Sequence, residues 1–303
     1  VGNTASAAGA VRVDREVAPL TVEAGTVEGD GTVNAAEVID GFELTGTVEP
    51  GAAVEVTFEG TTRAATVDAA GGWSVAFAGA EVPRGEYTAP VRVTATDAAG
   101  NTRTVTEAIG IDTAAPDAPY VTAFTKGLTG VRSINTEATT DTLDIRQVDG
   151  SGTVRDVAYT TSENAGFGET VFAFSQPIPD GSHLVVTRAD PAGNATGTLF
   201  VLEDNATSDV DLANPGYDGF DIAALDLTFA ADTTLTITEA QLTALSSGTD
   251  AAVIHGGPDD TVTAPGAQAT GEGRVIDGTV HEVYAMGAEG ARLVIDEDIQ
   301  VIV

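Results

Sequence analysis

The sequence predicts an all-β protein: β-sandwiches in tandem, followed by a β-rich terminal domain that carries one short helix. Three observations point there. A polar phrase recurs at near-constant spacing along the 303 residues. Short apolar stretches alternate with polar residues and are cut by Gly, Pro or Asp, the pattern of half-buried strands joined by turns. The composition is that of strands, with 42% apolar residues, only 5% aromatic residues, and 35 Gly and 12 Pro to serve turns.

The phrase is complete once, as A-T-D-A-A-G-N-T at Ala95–Thr102 followed by I-D-T-A-A-P at Ile111–Pro116. Worn copies are Gly2-Asn3-Thr4 with Val13-Asp14, and Asp190-Pro191-Ala192-Gly193-Asn194 with Glu203-Asp204. Gly2 to Asp14 and Gly100 to Asp112 are each twelve residues, and Gly193 to Asp204 is eleven. Such a unit reads as a tight polar turn, a strand, and an acidic junction to the next unit. The spacing divides the chain into 1–13, the last strand of a preceding repeat; 14–112, a sandwich; 113–204, a divergent sandwich; and 205–303, the β-rich domain. The chain opens in mid-repeat, which reads as a fragment or a processed piece.

In 14–112 the predicted strands are Ala18–Val22, Phe42–Val48, Ala53–Phe58, Arg63–Val67, Trp73–Phe77, Tyr87–Thr96 and Arg103–Ile111. Taken in order, they place the turns Glu49-Pro50-Gly51, Asp68-Ala69-Ala70-Gly71 and Asp97–Asn101 at one end, where Asp14 also enters. Trp73, the only Trp, follows a Gly-Gly turn and is expected in the core. In 113–204 the strands are Tyr120–Phe124, Leu143–Val148, Val154–Thr160, Thr170–Phe174, Ser182–Thr187 and Thr198–Leu202, with Ser162–Gly168 read as a loop. In 205–303, Thr238-Glu239-Ala240-Gln241 is a capping box that opens a helix over about Glu239–Leu245. Asp277-Gly278 between alternating strands signals a type I′ hairpin.

The charge is extreme: 13 basic residues against 46 acidic ones, a net −33. Nucleic acid and anionic membrane surfaces would repel such a chain. The acids can hold divalent cations, form a halophilic or marine solvated surface, or maintain solubility. There is no Cys, so neither disulfides nor a Cys-based zinc site can brace the fold. No stretch approaches the ~18 apolar residues of a membrane span.

Three groups of oxygens suit calcium, which takes six to eight hard ligands. Asp97 and Asn101 with the incoming Asp14 form the first. Asp112 with Asp190 and Asn194 repeats the pattern one domain on, where a cation would bridge neighbouring domains. Asp30, Asn34 and Glu37 form the third, in a loop spaced like part of an EF-hand but lacking its sixth-position Gly and twelfth-position Glu. Against all three stands the plain reading that Asp and Asn are good turn residues. Gly256-Gly257-Pro258-Asp259-Asp260 is one imperfect nonapeptide-like unit without tandem copies. Catalysis finds little support: His183, His255 and His281 lack metalloprotease spacing, and there is no nucleophile elbow or P-loop. A two-carboxylate glycosidase would need a cleft.

D-G-T-V-N-A-A-E at Asp30–Glu37, F-E-L-T-G-T-V-E-P-G-A-A-V-E-V at Phe42–Val56, D-A-A-G-G-W-S-V at Asp68–Val75 and A-T-D-A-A-G-N-T at Ala95–Thr102 resemble the bacterial immunoglobulin-like repeats of large RTX or biofilm-associated surface adhesins. L-T-I-T-E-A-Q-L at Leu235–Leu242 is similar to a C-terminal β-rich module of the same proteins. The resemblance implies tandem immunoglobulin-like β-sandwiches with Ca2+ within and between domains, an extracellular or cell-surface location, and type I secretion. It implies a calcium-stiffened structural or adhesive module, not an enzyme, acting in cell adhesion or biofilm formation. Its partners would be neighbouring repeats of the same protein, or a glycan or surface protein. Two alternatives stay open: a subunit of a surface layer or extracellular filament that uses 1–13 as an intermolecular strand, and a glycan- or protein-binding module in 205–303.

Overall fold

The computed structural model describes residues 13–202, 208–246, 248, 250–287 and 290–303. All but Val13 of the strand expected over 1–13, and Asp204 of the third phrase, lie outside the described residues. The chain divides into two compact units, Val1–Ala114 and Ala115–Val303. No helix among the described residues is long and apolar enough to cross a membrane.

The first unit holds β1 (Leu20–Val22), β2 (Thr32–Val33), a one-turn helix α1 (Glu37–Asp40), β3 (Phe42–Val48), β4 (Ala53–Phe58), β5 (Thr61–Ala64), β6 (Thr66–Val67), β7 (Gly72–Phe77), β8 (Glu86–Thr96) and β9 (Thr102–Asp112). It has one sheet in the order β1-β3-β7-β6 and another in the order β2-β9-β8-β4-β5. All neighbours are antiparallel except β2 and β9. Residues of β3 and β4 alternate between buried and outward positions, so each strand puts one face into the core. Phe42, Phe58 and Phe77 meet there, with ring centroids 5.0 to 5.6 Å apart. Trp73 is 2% exposed and donates its indole N–H to the Thr21 carbonyl.

The second unit holds β10 (Val121–Gly127), β11 (Gly130–Glu137), β12 (Thr142–Val148), β13 (Val154–Asp156), β14 (Tyr159–Asn164), β15 (Glu169–Ile178), β16 (His183–Ala189), β17 (Ala195–Val201), β18 (Asp209–Val210), β19 (Ile222–Asp226), β20 (Thr234–Thr236), α2 (Glu239–Leu245), β21 (Ala251–His255), β22 (Thr261–Thr263), β23 (Gln268–Ile276), β24 (Thr279–Met286), β25 (Ala291–Asp296) and β26 (Gln300–Ile302). The order β10-β11-β15-β14 makes a small antiparallel sheet. A nine-stranded sheet runs β13-β12-β16-β17-β19-β21-β25-β24-β23, and a third sheet runs β18-β20-β22-β26. From β18 to β22, and again from β25 to β26, successive strands go to the third sheet and the long sheet in turn. Each joins its ladder in parallel. The C-terminal half is therefore a coil of parallel strands around an apolar core of Leu225, Leu235, Leu242, Ile254, Val262 and Leu293.

The domain edge read at 204/205 falls inside this unit, because β17 and β19 pair parallel across it. The cause is visible in β17, where six consecutive residues from Thr196 to Val201 are buried. A strand covered on both faces is a central strand, whereas the edge of a sandwich alternates. The stretch Ser162–Gly168, expected as a loop, is strand as far as Asn164. β14 is an edge strand whose middle four residues face water, and such a strand shows no apolar alternation. The capping box forms as expected: Thr238 Oγ1 accepts from Gln241 N, and Gln241 Oε1 accepts from Thr238 N. Asp277 and Gly278 have φ of +51° and +85°, as a type I′ turn requires.

Candidate metal centre

At one end of the first unit, Asp97 closes the β8–β9 hairpin. Its Oδ1 accepts from the backbone N–H groups of Ala99 and Asn101, both at 2.8 Å. Its Oδ2 accepts from the side-chain NH2 of Asn101 at 2.7 Å. Gly100 takes the φ of +87° that the turn needs. These bonds, that from the Asn101 side chain first, hold the Asp97 carboxyl below its ordinary value. Asp97 is buried, and these bonds favour its charged form.

Two further carboxylates arrive from elsewhere in the sequence. Asp14 comes from the segment before β1. Glu49 follows β3 and is anchored by its N–H to the Pro19 carbonyl, while its Oε2 accepts from Ala18 N. One oxygen from each of Asp14, Glu49 and Asp97 lies within 4.8 Å of the others. Ligands at 2.3–2.6 Å from one calcium ion can be at most about 5 Å apart, so the separation fits a shared ion. Three negative groups at this range repel by about 1 kcal/mol per pair even in water, and a divalent cation would reverse that sign. Among the described residues this is the only such group of three. Of the residues singled out, Asp14 and Asp97 lie together here. Asn101 joins them through Asp97, by its NH2. Glu49 was not among the residues singled out, although the strand order puts its turn at this end.

Asp190 and Asn194 build the same turn in the second unit. Asp190 Oδ1 accepts from Asn194 N and Oδ2 accepts from the Asn194 NH2, both at 3.0 Å. Asp112 ends β9 in the first unit, where its Oδ1 accepts from Ala114 N. The two halves of that expected site thus belong to different units. Asp68 makes a related turn, with Oδ1 accepting from Ala70 N and Gly72 N, so an Asp in this setting has a turn-forming role of its own.

The loop oxygens of Asp30, Asn34 and Glu37 are engaged locally. Asp30 Oδ1 accepts from Thr32 N. Asn34 Oδ1 accepts from Ala36 N and Glu37 N, and Glu37 Oε2 accepts from Asn34 N. The last three bonds are a reciprocal cap on the entry to α1, and N-x-x-E is itself the spacing of such a cap. Glu28 sits close enough to Glu37 that burial, and then the Glu37 charge, raise its carboxyl above the ordinary value.

A family model described as a bacterial Ig-like domain matches residues 19–113. Among solved structures, the chain is similar to a Ca2+-stabilized adhesin that helps an Antarctic bacterium reach out and bind ice, with 28% identity over 61% of this chain and 47% of that one and a TM-score of 0.40. It is similar to a structure concerned with host cell surface retention of a 1.5-MDa bacterial ice-binding adhesin, with 24% identity over 62% of this chain and 63% of that one and a TM-score of 0.40. It is also similar to a bacterial immunoglobulin-like domain from the M. primoryensis ice-binding adhesin, with 32% identity over 32% of this chain and 97% of that domain and a TM-score of 0.25. The chain spans 47% and 63% of the lengths of the first two structures. No curated protein matches it.

Proposed function

From the premise that this chain belongs, through residues 19–113, to the bacterial Ig-like domain family, we propose that it is a calcium-braced structural segment of an extracellular bacterial adhesin. The observation that carries this reading is the convergence of Asp14, Glu49 and Asp97 within 4.8 Å. They come from the entry segment, the β3–β4 turn and the β8–β9 turn. An ion held by all three would tie the chain entering the sandwich to two of its turns. The entry segment and those turns would then move as one body.

The role suits a protein outside the cell. It has no Cys, so covalent bracing is closed to it, and calcium is abundant there. Its net −33 keeps it soluble and leaves cations as its natural ligands. Adhesion or biofilm formation would follow from presenting such braced segments at the cell surface.

The test is calorimetric unfolding of the full chain with calcium, and with a chelator. Calcium should raise the transition of the first unit. The same transition temperature in both conditions would overturn the reading.

A further inference from the structure

The second unit contains a cavity of about 510 Å3, walled by residues that include Tyr120, Glu137, Arg188, Asp226, His255 and Asp277. This is within the usual range of small-molecule sites, about 300–1,000 Å3. Part of its wall belongs to a polar row laid across the nine-stranded sheet. Asp226 on β19 is paired with His255 on β21. Ile254 is paired with Ile295, so Asp296 on β25 comes next to His255. Asp296 is in turn paired with His281 on β24. Paired positions share a face, so these four side chains point to one side, at the carboxyl ends of parallel strands β19, β21 and β25.

Two features of the row exceed what a core needs. Asp226 is 2% exposed and lines the cavity. Its Oδ1 accepts from both N and Oγ1 of Thr228. Its Oδ2 has no hydrogen-bond partner among the described residues. That oxygen is not fully enclosed, so on the cavity wall it is an acceptor open to a ligand's donor. The second feature is a histidine relay. His281 Nδ1 lies 3.1 Å from the Thr279 carbonyl, and His281 Nε2 lies 3.3 Å from His255 Nδ1. A carbonyl only accepts, so His281 Nδ1 carries a proton. In the uncharged pair His281 Nε2 then accepts from His255 Nδ1, and His255 Nε2 is left as a bare acceptor. Burial, and then His281, push His255 toward its uncharged form.

The chemistry of the walls selects the ligand. Acceptors are spread around the cavity on Glu137, Asp226, His255 and Asp277. They do not converge: the only group of three or more donors of metal-ligand type within 4.8 Å, among the described residues, is the one in the first unit. A point cation needs convergence, whereas hydroxyls around a sugar ring do not. Arg188 is held by Asp141 at 2.6 Å, so an anion would meet excess negative charge. Tyr120 at 40% exposure, with Val253, Val275 and Ile276, offers an apolar wall for the face of a pyranose ring. A second cavity of about 500 Å3 shares Thr139 and Leu143 with the first and adds Tyr159 and Glu163, giving space for more than one ring.

We propose that these neighbouring cavities bind a neutral oligosaccharide, with Asp226 and His255 accepting from the hydroxyls of one ring and Tyr120 packing on its face. The site stands apart from the calcium reading, whose residues lie in the first unit.

The experiment applies the full chain to an array of neutral, amino, uronic-acid, sialylated and sulfated oligosaccharides, followed by titration calorimetry with the strongest neutral probe. Neutral glycans should bind, and binding should persist in a chelator. Asp226→Asn should weaken it about tenfold or more, the size of a lost hydrogen bond to a charged acceptor. Tyr120→Ala, at the exposed rim where folding is safe, should weaken it severalfold. Failure to bind any neutral glycan would overturn the proposal. So would equal or better binding of charged glycans, loss of binding in the chelator, or unchanged affinity in both variants. Loss of calcium stabilisation without loss of glycan binding would sink the bracing role and leave this one standing.

Discussion

The side-chain NH2 of Asn101 donates to Oδ2 of Asp97 at 2.7 Å, and this bond helps keep the Asp97 carboxyl ionised beside Asp14 and Glu49. The turn thus does two things: it closes the β8–β9 hairpin and it aims a charge at two others.

Calcium binding there has a magnitude. Free calcium at ~100 times its dissociation constant should stabilise the first unit by about 2.7 kcal/mol. Asp14→Asn and Glu49→Gln should each remove most of that increment. Asp68→Ala, in a turn outside the cluster, should leave it intact. Calorimetry of the four proteins with and without calcium decides this. The Asp97 carboxyl is held below its ordinary value, so its contribution is present above the ordinary carboxylate range and lost as pH falls through the lowered one. The calcium increment should fade with it in acid.

Asn34 caps the entry to α1 through bonds to Ala36 N and Glu37 N. Asn34→Ala should cost about 1 kcal/mol, by the same amount with calcium and with chelator. Denaturant titration in both conditions reads it. A cost that appears only with calcium would show that this loop holds an ion and that capping is secondary.

Asp226 makes stability fall as pH rises. Burial first raises its carboxyl to about 6, against about 4 in the unfolded chain. Between those values the folded protein holds the proton and the unfolded chain has lost it. The contribution is therefore full below pH 4 and lost as pH climbs through 6, by up to about 3 kcal/mol. Asp226→Asn should flatten this slope and make the second unit more stable than wild type at pH 7.5. A variant that gains stability while losing glycan affinity would mark Asp226 as a group kept for binding at a cost to folding.

Gly46 lies against Trp73. A Cβ there would stand 2.2 Å from the Thr21 carbonyl oxygen and 2.6 Å from Cζ2 of the indole. Gly46→Ala should push the ring aside, break its bond to Thr21, and cost about 1–3 kcal/mol. A red shift in the emission of the only Trp would report the displacement, and unchanged emission would count against it.

What could be read without coordinates was local. Alternation along β3 and β4, the turn at Asp97–Asn101, the capping box at Thr238 and the hairpin at Asp277-Gly278 each depend on residues a few positions apart. Spacing alone expresses such features, because turn geometry and strand pleat are short-range properties of the chain. It also placed the turns of Glu49 and Asp97 at one end of the sandwich. The loop Asp30–Glu37 shows the ambiguity of that level, since one spacing suits a cation loop and a helix cap alike.

Tertiary structure alone decided which distant pieces meet. Nothing local says that β17 continues in parallel into β19, and only burial on both faces of β17 shows it afterwards. Glu49 joins Asp14 and Asp97 because three separate segments end at one place. Asp226, His255, Asp296 and His281 form a row because four strands, spread along the chain from Ile222 to Asp296, take one register. Long-range pairing is chosen by the packing of whole faces against the entropy of closing the loops between them. Its outcome is set by the sum over the fold, and no short motif carries it.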